Sequence, residues 1–181
     1  MKKSTKWRLI AICIAVGAFL LDQITKIVAA STKVNVPIFG DWLWLKYIQN
    51  PGVAFGMKLD GIGFTWAIVI FSALATAVLI FVFVKYAKSP FLQCALLLLA
   101  SGAAGNLVDR VLMLLSHSVE SLASFSGGVR DFIYVSWFAN FNVADIAVTF
   151  GVILLVIYLL FFDKNGIFVK KKEKTEEKPQ E

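Results

Sequence analysis

Phe64–Val84 (FTWAIVIFSALATAVLIFVFV) contains no charged residue, and it is the clearest indication of how this chain folds. About 20 consecutive apolar residues are enough to cross the hydrocarbon core of a bilayer as an α-helix. Three further stretches are long, apolar and interrupted by only one or two charges each, at about residues 9–30, 91–115 and 143–162. We therefore predict an all-α integral membrane protein with four transmembrane helices, which form a single membrane-embedded domain over residues 1–162.

The composition of the 181-residue chain agrees with this prediction. Hydrophobic residues make up 59% of the chain and charged residues 17%, and the mean hydropathy is +0.76. Soluble domains are nearer 45–50% apolar and about 25% charged. These values exclude a disordered chain and argue against a soluble enzyme.

Lysine and arginine are concentrated in three places. The clusters lie before the first predicted helix, between the second and third, and after the fourth: Lys2, Lys3, Lys6 and Arg8; Lys85 and Lys88; and six lysines from Lys164 to Lys178. Because cytoplasmic loops carry an excess of positive charge, we expect both termini in the cytoplasm and residues of about 31–63 and 116–142 on the outer side. The pattern indicates topology, so no nucleic-acid partner is predicted despite the net charge of +6.

The segments outside the predicted helices differ in character. Trp42–Ile48 (WLWLKYI) is rich in aromatic residues and too short to span, and it predicts a small extracytoplasmic β-rich segment. Ser116–Gly128 is rich in serine, ends in a glycine pair and predicts a flexible connection. Residues 163–181 form a charged, low-complexity tail that we predict to be cytoplasmic and disordered.

Four aspartates are predicted to lie at one depth, the outer boundary of the membrane. At 1.5 Å per residue, Asp22 lies roughly 21 Å along the first helix from Arg8, and Asp109 lies roughly 27 Å along the third helix. Asp131 precedes the fourth helix, and Asp145 lies in its first turn. Ionisable residues within membrane spans are costly and mark candidate functional sites.

Two of these acids have a simple structural explanation in a neighbouring base. Asp22 precedes Lys26 by one helical turn, which favours an intrahelical ion pair. Asp109 is adjacent to Arg110 and could neutralise it. Buried ion pairs would therefore account for both acids without any catalytic role.

The other two acids differ in how well structure alone explains them. Asn142 precedes Asp145 by three positions and is a good helix N-cap, and the helix dipole favours a carboxylate in the first turn. Asp131 is flanked by apolar residues, and Arg130 is expected on the opposite face of the strand. We expect the dipole to keep Asp145 easier to ionise, and the apolar setting to keep Asp131 protonated to higher pH.

The chain offers few other catalytic groups. His117 is the only histidine and lies in the Ser-rich segment, which argues against a zinc site with histidine ligands and against Ser–His catalysis. Two carboxylates in one site can activate water, because like charges at close range keep one of them protonated. The residues alone leave the pair open among Asp109, Asp131 and Asp145. They also leave open a structural membrane subunit or a small carboxylate-dependent transporter, although transporter sites tend to lie near the bilayer midplane.

Five short motifs resemble, in order, those of the bacterial lipoprotein signal peptidases (signal peptidase II) over residues of about 9–162. They are DQITK (Asp22–Lys26), NPGVAFG (Asn50–Gly56), GNLVDR (Gly105–Arg110), VRDFI (Val129–Ile133) and FNVAD (Phe141–Asp145). Any one motif is weak, but five in order on four predicted spans are specific. The family consists of metal-independent intramembrane aspartyl peptidases that remove signal peptides by cleaving before the lipid-modified cysteine of prolipoproteins.

The resemblance implies a role for each matching residue. It makes Asp131 and Asp145 the catalytic pair. The family positions that line or support the pocket match Asn50, Gly52, Asn106, Arg110 and Asn142. The positions of its polar framework match Asp22, Lys26 and Asp109. The resemblance further implies no metal or cofactor, lipid-modified prolipoproteins and membrane lipid as partners, and an active site on the extracytoplasmic side of the bacterial cell (inner) membrane. We expect a monomer.

Two lengths depart from the family pattern. The stretch over residues 111–128 is longer than expected by about a dozen residues, and the stretch from Asp131 to Asp145 is shorter by a few. The first departure could reshape the loop that covers the substrate, and the second could alter how Asp131 reaches Asp145.

Overall fold

The computed structural model describes residues 3–51 and 62–163. The described elements, in chain order, are α1 (Lys3–Thr32), β1 (Asn35–Phe39), β2 (Leu43–Asn50), α2 (Ile62–Tyr86), α3 (Pro90–Ser116), a 3-10 helix (Glu120–Phe125), β3 (Val129–Val135), β4 (Asn140–Phe141) and α4 (Val143–Phe161). All four α-helices are long and apolar enough to cross a membrane. The predicted fold class is confirmed. Gly52 and the predicted tail beyond Asp163 lie outside the described residues.

The burial of side chains differs from that in a soluble domain. Leu21, Phe71 and Leu160 lie on the helix surfaces with 54%, 75% and 72% of their area exposed. The largest fully buried side chains are Lys26, Leu92, Asn142, Asp22, Asp109 and Asp131. Large apolar side chains on the outside, around an interior that contains buried charged and amide groups, form the arrangement that lipid, rather than water, would stabilise.

Helix α3 lies at the centre of the bundle and contacts the other three helices. Half of its most apolar stretch is buried, against 17–22% for α1, α2 and α4. Small residues permit this close packing: a Cβ atom at Gly102 would overlap the backbone oxygen of Ala144 on α4, and one at Gly105 would lie 2.7 Å from Oδ2 of Asp22 on α1.

The four strands form one antiparallel sheet in the order β1-β2-β3-β4. The predicted strand over Trp42–Ile48 is confirmed as β2, which pairs with β3 so that Ile48 lies opposite Asp131. The sheet joins the bundle at the end where α1 and α3 finish and where α2 and α4 begin. The sheet therefore brings Asp131 to the ends of the helices.

The segment predicted to be a flexible connection instead contains the 3-10 helix over Glu120–Phe125. The side-chain amide Nε2 of Gln49 on β2 donates a hydrogen bond of 2.6 Å to the carbonyl oxygen of Ser124. A high serine content favours a loop, and composition alone gives no information about such a contact with another part of the chain.

Candidate active site

The four aspartates singled out from the sequence converge at the sheet end of the bundle, each from a different element. Asp22 lies on α1, Asp109 on α3, Asp131 on β3 and Asp145 in the first turn of α4. The first three are at most 1% exposed, and Asp145 is half-buried. Buried carboxylates need partners. The four aspartates fall into two groups, because two of them are bound to cations and two to amide groups.

Asp22 and Asp109 are bound in ion pairs. The Lys26 ammonium lies 2.9 Å from Oδ2 of Asp22 and 3.0 Å from Oδ2 of Asp109, and all three side chains are almost fully buried. Nε of Arg130 donates to Oδ1 of Asp109 at 2.8 Å. Two cations therefore neutralise these two acids, and the predicted pair between Asp22 and Lys26 is confirmed.

The predicted neutralisation of Arg110 by Asp109 is wrong. Asp109 pairs with Lys26 and Arg130, whereas Nη1 of Arg110 donates to Oγ of Ser72 on α2 at 3.1 Å. Adjacent residues on a helix do not face each other. Asp109 accordingly faces α1 and β3, and Arg110 faces α2.

Asp131 and Asp145 are held by amide groups instead of cations. Asp131 accepts hydrogen bonds from Nδ2 of Asn142 at 2.7 Å and from Nδ2 of Asn50 at 3.1 Å. Asp145 accepts one from Nδ2 of Asn106 at 2.8 Å and one from the backbone N–H of Asn142 at 3.1 Å. Within residues 3–51 and 62–163, neither carboxylate forms a salt bridge.

Groups that can only donate fix the orientation of two of these amides. The backbone N–H of Asp145 donates to Oδ1 of Asn142 at 3.0 Å, and the Lys26 ammonium donates to Oδ1 of Asn106 at 2.9 Å. Each amide must therefore present its oxygen to that donor and its nitrogen to a carboxylate. Asn142 in this way links Asp131 and Asp145 through one side chain.

The start of α4 is fixed by two sets of hydrogen bonds. Asn142 and Asp145 form a capping box, as the sequence predicted for the N-cap. Oδ1 of Asp22 also accepts a hydrogen bond of 2.8 Å from the backbone N–H of Ala144. Asp22 thus attaches the first turn of α4, and with it Asp145, to α1.

Burial raises the pKa of Asp131 from its ordinary value of 3.8 to about 6. Loss of hydration is the largest cause, and the negative charge of Asp145 adds to it. The amides of Asn50 and Asn142 and the charge of Lys26 act in the opposite direction. The balance agrees with the prediction that Asp131 stays protonated to higher pH than an ordinary aspartate.

The part that Arg130 plays in the site was not predicted from the sequence. The residue lies on the strand face opposite Asp131, as predicted, but that face is also buried, and Arg130 is only 3% exposed. Its position beside Asp131 in the VRDFI motif was the available signal. Nothing in that signal indicated that a carboxylate on α3 would face it.

A cleft of about 430 Å³ opens between α2 and α3 on the side of Arg110. Its lining residues are Ala67, Ile68, Phe71, Ser72, Ala75, Ala103 and Arg110. Ile68 and Arg110 also line a second, smaller cavity that reaches Asn50. Apolar walls therefore lead from the bundle surface towards a residue that contacts Asp131.

The fold and the site together define a multi-pass integral membrane protein with a buried carboxylate cluster at one end of its helices. Residues 14–161 match the family model described as signal peptidase (SPase) II. The chain belongs to this family of peptidases, and the resemblance found in the five motifs is confirmed.

Individual relatives agree with this assignment. The lipoprotein signal peptidase of Symbiobacterium thermophilum is 34% identical over 166 residues, covering 87% of this chain and 99% of that protein. The corresponding protein of Streptomyces griseus is 40% identical over 80% of this chain and 69% of its own length. That of Mycobacterium tuberculosis strain H37Rv is 35% identical over 84% of this chain and 73% of its own. These relatives support lipoprotein signal peptidase function.

Two solved structures described as bacterial membrane enzymes have the same fold. One superimposes with a TM-score of 0.69 at 32% identity and covers 90% of this chain and 94% of its own. The other gives a TM-score of 0.67 at 32% identity over 84% of this chain and 93% of its own.

Proposed function

We propose that this chain removes the signal peptide from lipid-modified prolipoproteins by cleaving before the diacylglyceryl-cysteine, with Asp131 and Asp145 activating the water molecule. One observation carries the choice of residues. Both carboxylates accept a hydrogen bond from Asn142, Asp131 from its side-chain amide and Asp145 from its backbone N–H, and neither has an ion-pair partner among the described residues. Asp22 and Asp109 are already neutralised and serve as framework.

The two carboxyl groups share one proton in the starting state. We assign it to Asp131, because burial raises the pKa of that carboxyl to about 6 and so favours its protonated form. Asp145 takes a proton from water as the water oxygen attacks the carbonyl carbon of the scissile amide, and Asp131 donates its proton to the carbonyl oxygen. A tetrahedral intermediate with two hydroxyl groups results.

Collapse of that intermediate completes the reaction. The C–N bond breaks as Asp145 passes its proton to the leaving nitrogen, and one hydroxyl proton returns to Asp131. The pair regains its starting protonation state, so the cycle requires water and no cofactor. Asn50, Asn106 and Asn142 act by orienting the two carboxylates.

We propose that the substrate enters sideways from the membrane through the cleft between α2 and α3. Its walls are mostly apolar and suit a signal-peptide helix or an acyl chain, and Arg110 and Ser72 provide polar contacts in the cleft. We further propose that both termini are cytoplasmic and the site extracytoplasmic. The distribution of lysine and arginine along the sequence supports this orientation.

The test compares Asp131→Asn, Asp145→Asn and Asp109→Asn in proteoliposomes that contain a lipidated precursor. The first two variants keep the shape of the side chain but cannot exchange a proton, so each should fold and lose turnover by about 10²–10⁴-fold or more. Asp109→Asn leaves Lys26 and Arg130 short of a charge partner. Breaking a buried pair costs about 3–5 kcal/mol, so this variant should lose folded protein first.

Asp41→Asn is the matched control, because Asp41 is exposed in the turn between β1 and β2. It should retain wild-type turnover. Turnover is expressed per folded molecule for every variant. The dyad would be wrong if Asp109→Asn were folded yet inactive while Asp131→Asn retained substantial turnover; Asp109 with Asp145 would then be the better pair.

A further inference from the structure

Arg130 connects the strand that carries Asp131 to two helices. Its Nε donates to Oδ1 of Asp109 on α3 at 2.8 Å, and its backbone N–H donates to Oδ2 of the same carboxylate at 3.2 Å. Nη2 binds Oδ1 of Asp109 as well, and it lies 3.4 Å from Oε1 of Gln23 on α1. One carboxylate therefore holds both the main chain and the side chain of the residue before Asp131.

The segment between α3 and β3 packs against this ion pair. The ring of Phe125, the last residue of the 3-10 helix, lies 5.2 Å from the guanidinium carbon of Arg130. Gln49 on β2 binds the carbonyl oxygen of Ser124, one residue earlier. The segment thus contacts the framework of the site through Arg130.

Resting on the proposed function, we propose that Arg130 is a positioning residue: together with Asp109 and Phe125, it fixes β3 so that the Asp131 carboxylate meets Asn142. In this arrangement the long stretch of residues 111–128 affects catalysis by packing on Arg130. Contact with the substrate is not required for that effect.

The geometry requires arginine specifically. Nε and Nη2 both reach the Asp109 carboxylate, while the guanidinium carbon lies over the ring of Phe125. Lysine at this position would keep the charge but supply one compact ammonium group, which cannot make both contacts. Arg130→Lys therefore separates the contribution of geometry from that of charge.

Glutamine would change both contributions at once. Lys26 pairs with both Asp22 and Asp109, and without Arg130 it would be the one cation among the described residues left to neutralise these two framework acids. For that reason Arg130→Lys is the informative variant. Phe125→Leu is the second variant, because leucine preserves apolar packing without the aromatic face.

The experiment measures kcat and KM for a lipidated precursor, per folded molecule, in a single detergent. Displacement of a catalytic group by about 1 Å can cost about 100-fold in rate, so Arg130→Lys should lower kcat by at least about tenfold. KM should stay within about twofold, because the change affects the transition state rather than substrate binding. Phe125→Leu should lower kcat by a smaller factor, and the double variant should be no slower than Arg130→Lys alone.

Arg8→Lys is the matched control. Arg8 also lies over an aromatic ring, with its guanidinium carbon 4.8 Å from the centre of Phe83, but this contact is at the opposite end of the bundle. The kcat of Arg8→Lys should equal that of the wild type.

Hydrogen–deuterium exchange of the β3 amides supplies a readout that does not depend on activity. Arg130→Lys should speed exchange at Asp131–Ile133, and Arg8→Lys should not. The proposal is overturned if Arg130→Lys keeps both wild-type kcat and wild-type exchange, or if it lowers only the yield of folded protein. If the reductions in kcat caused by Arg130→Lys and Phe125→Leu multiply in the double variant, the proposed role of the segment is overturned. An active Asp131→Asn variant would instead contradict the proposed dyad, and the exchange data would still decide whether Arg130 holds β3.

Discussion

Replacing Gly102 by alanine should disturb the contact between α3 and α4 that places Asp145. The added Cβ would overlap the backbone oxygen of Ala144, the neighbour of Asp145, and would lie 2.7 Å from Cγ2 and 3.0 Å from the backbone nitrogen of Val148. Backbone atoms of an adjacent helix cannot rotate away. The two helices must therefore separate.

The cost follows from two opposing terms. Overpacking of this kind destabilises by about 1–3 kcal/mol, whereas alanine gains about 0.5–1 kcal/mol over glycine within a helix. The net loss is about 1–2 kcal/mol, which lowers Tm by about 2–8 °C in a chain of this size. Turnover should fall further, since a shift of about 1 Å at a catalytic group can cost about 100-fold.

Gly17→Ala on α1 provides the control, because a Cβ there meets nothing within 4 Å. It should leave Tm unchanged or raise it slightly, with wild-type turnover. Thermal unfolding and precursor cleavage are measured for both variants in one detergent. If Gly102→Ala unfolds at the same temperature as Gly17→Ala or higher, the close approach of α3 to α4 is incorrect.

Three further predictions concern the metal requirement, the orientation and the effect of pH. Cleavage should survive EDTA, because the proposed reaction uses only carboxylates; activity that is lost and then restored by zinc would contradict it. After replacement of Cys13 and Cys94, a cysteine introduced at Ser121 should react with an impermeant thiol reagent in intact cells, and one at Lys88 should not; labelling at Lys88 would reverse the orientation. Burial raises the pKa of Asp131 from 3.8 to about 6, so the stability contributed by its protonated form is fully present below pH 3.8 and is lost as the pH rises through about 6. The free energy of unfolding of Asp131→Asn should therefore increase relative to that of the wild type between these two pH values and level off above them. If the difference in free energy of unfolding between variant and wild type does not change with pH, Asp131 is hydrated and the reasoning is wrong.

The helices and the convergence of the acids were predictable because both depend on simple lengths. Hydrophobic length identifies the four spans, and helical rise places Asp22 and Asp109 at the same depth. The N-cap role of Asn142 was also predictable, because a capping box uses residues three apart. Each of these features depends on local spacing.

The pairing of charges was not predictable in the same way. Asp109 stands next to Arg110 in sequence, yet its partners are Lys26 and Arg130, which lie on other elements. The direction in which a helix face points depends on neighbouring helices and strands, and sequence spacing does not contain that information. The 3-10 helix over Glu120–Phe125 was missed for the same reason, since Gln49 and Arg130 contact it from other parts of the chain.

The hydrogen bond from Ala144 to Asp22 joins residues 122 positions apart, on α4 and α1. During synthesis on the ribosome, α1 is made long before α4, so Asp22 cannot form this hydrogen bond until α4 is inserted. Asp145 arrives with that same helix. The proposed catalytic pair is therefore completed only when α4 is inserted, and a nascent chain that stalls before α4 places no working peptidase in the membrane of the cell that makes it.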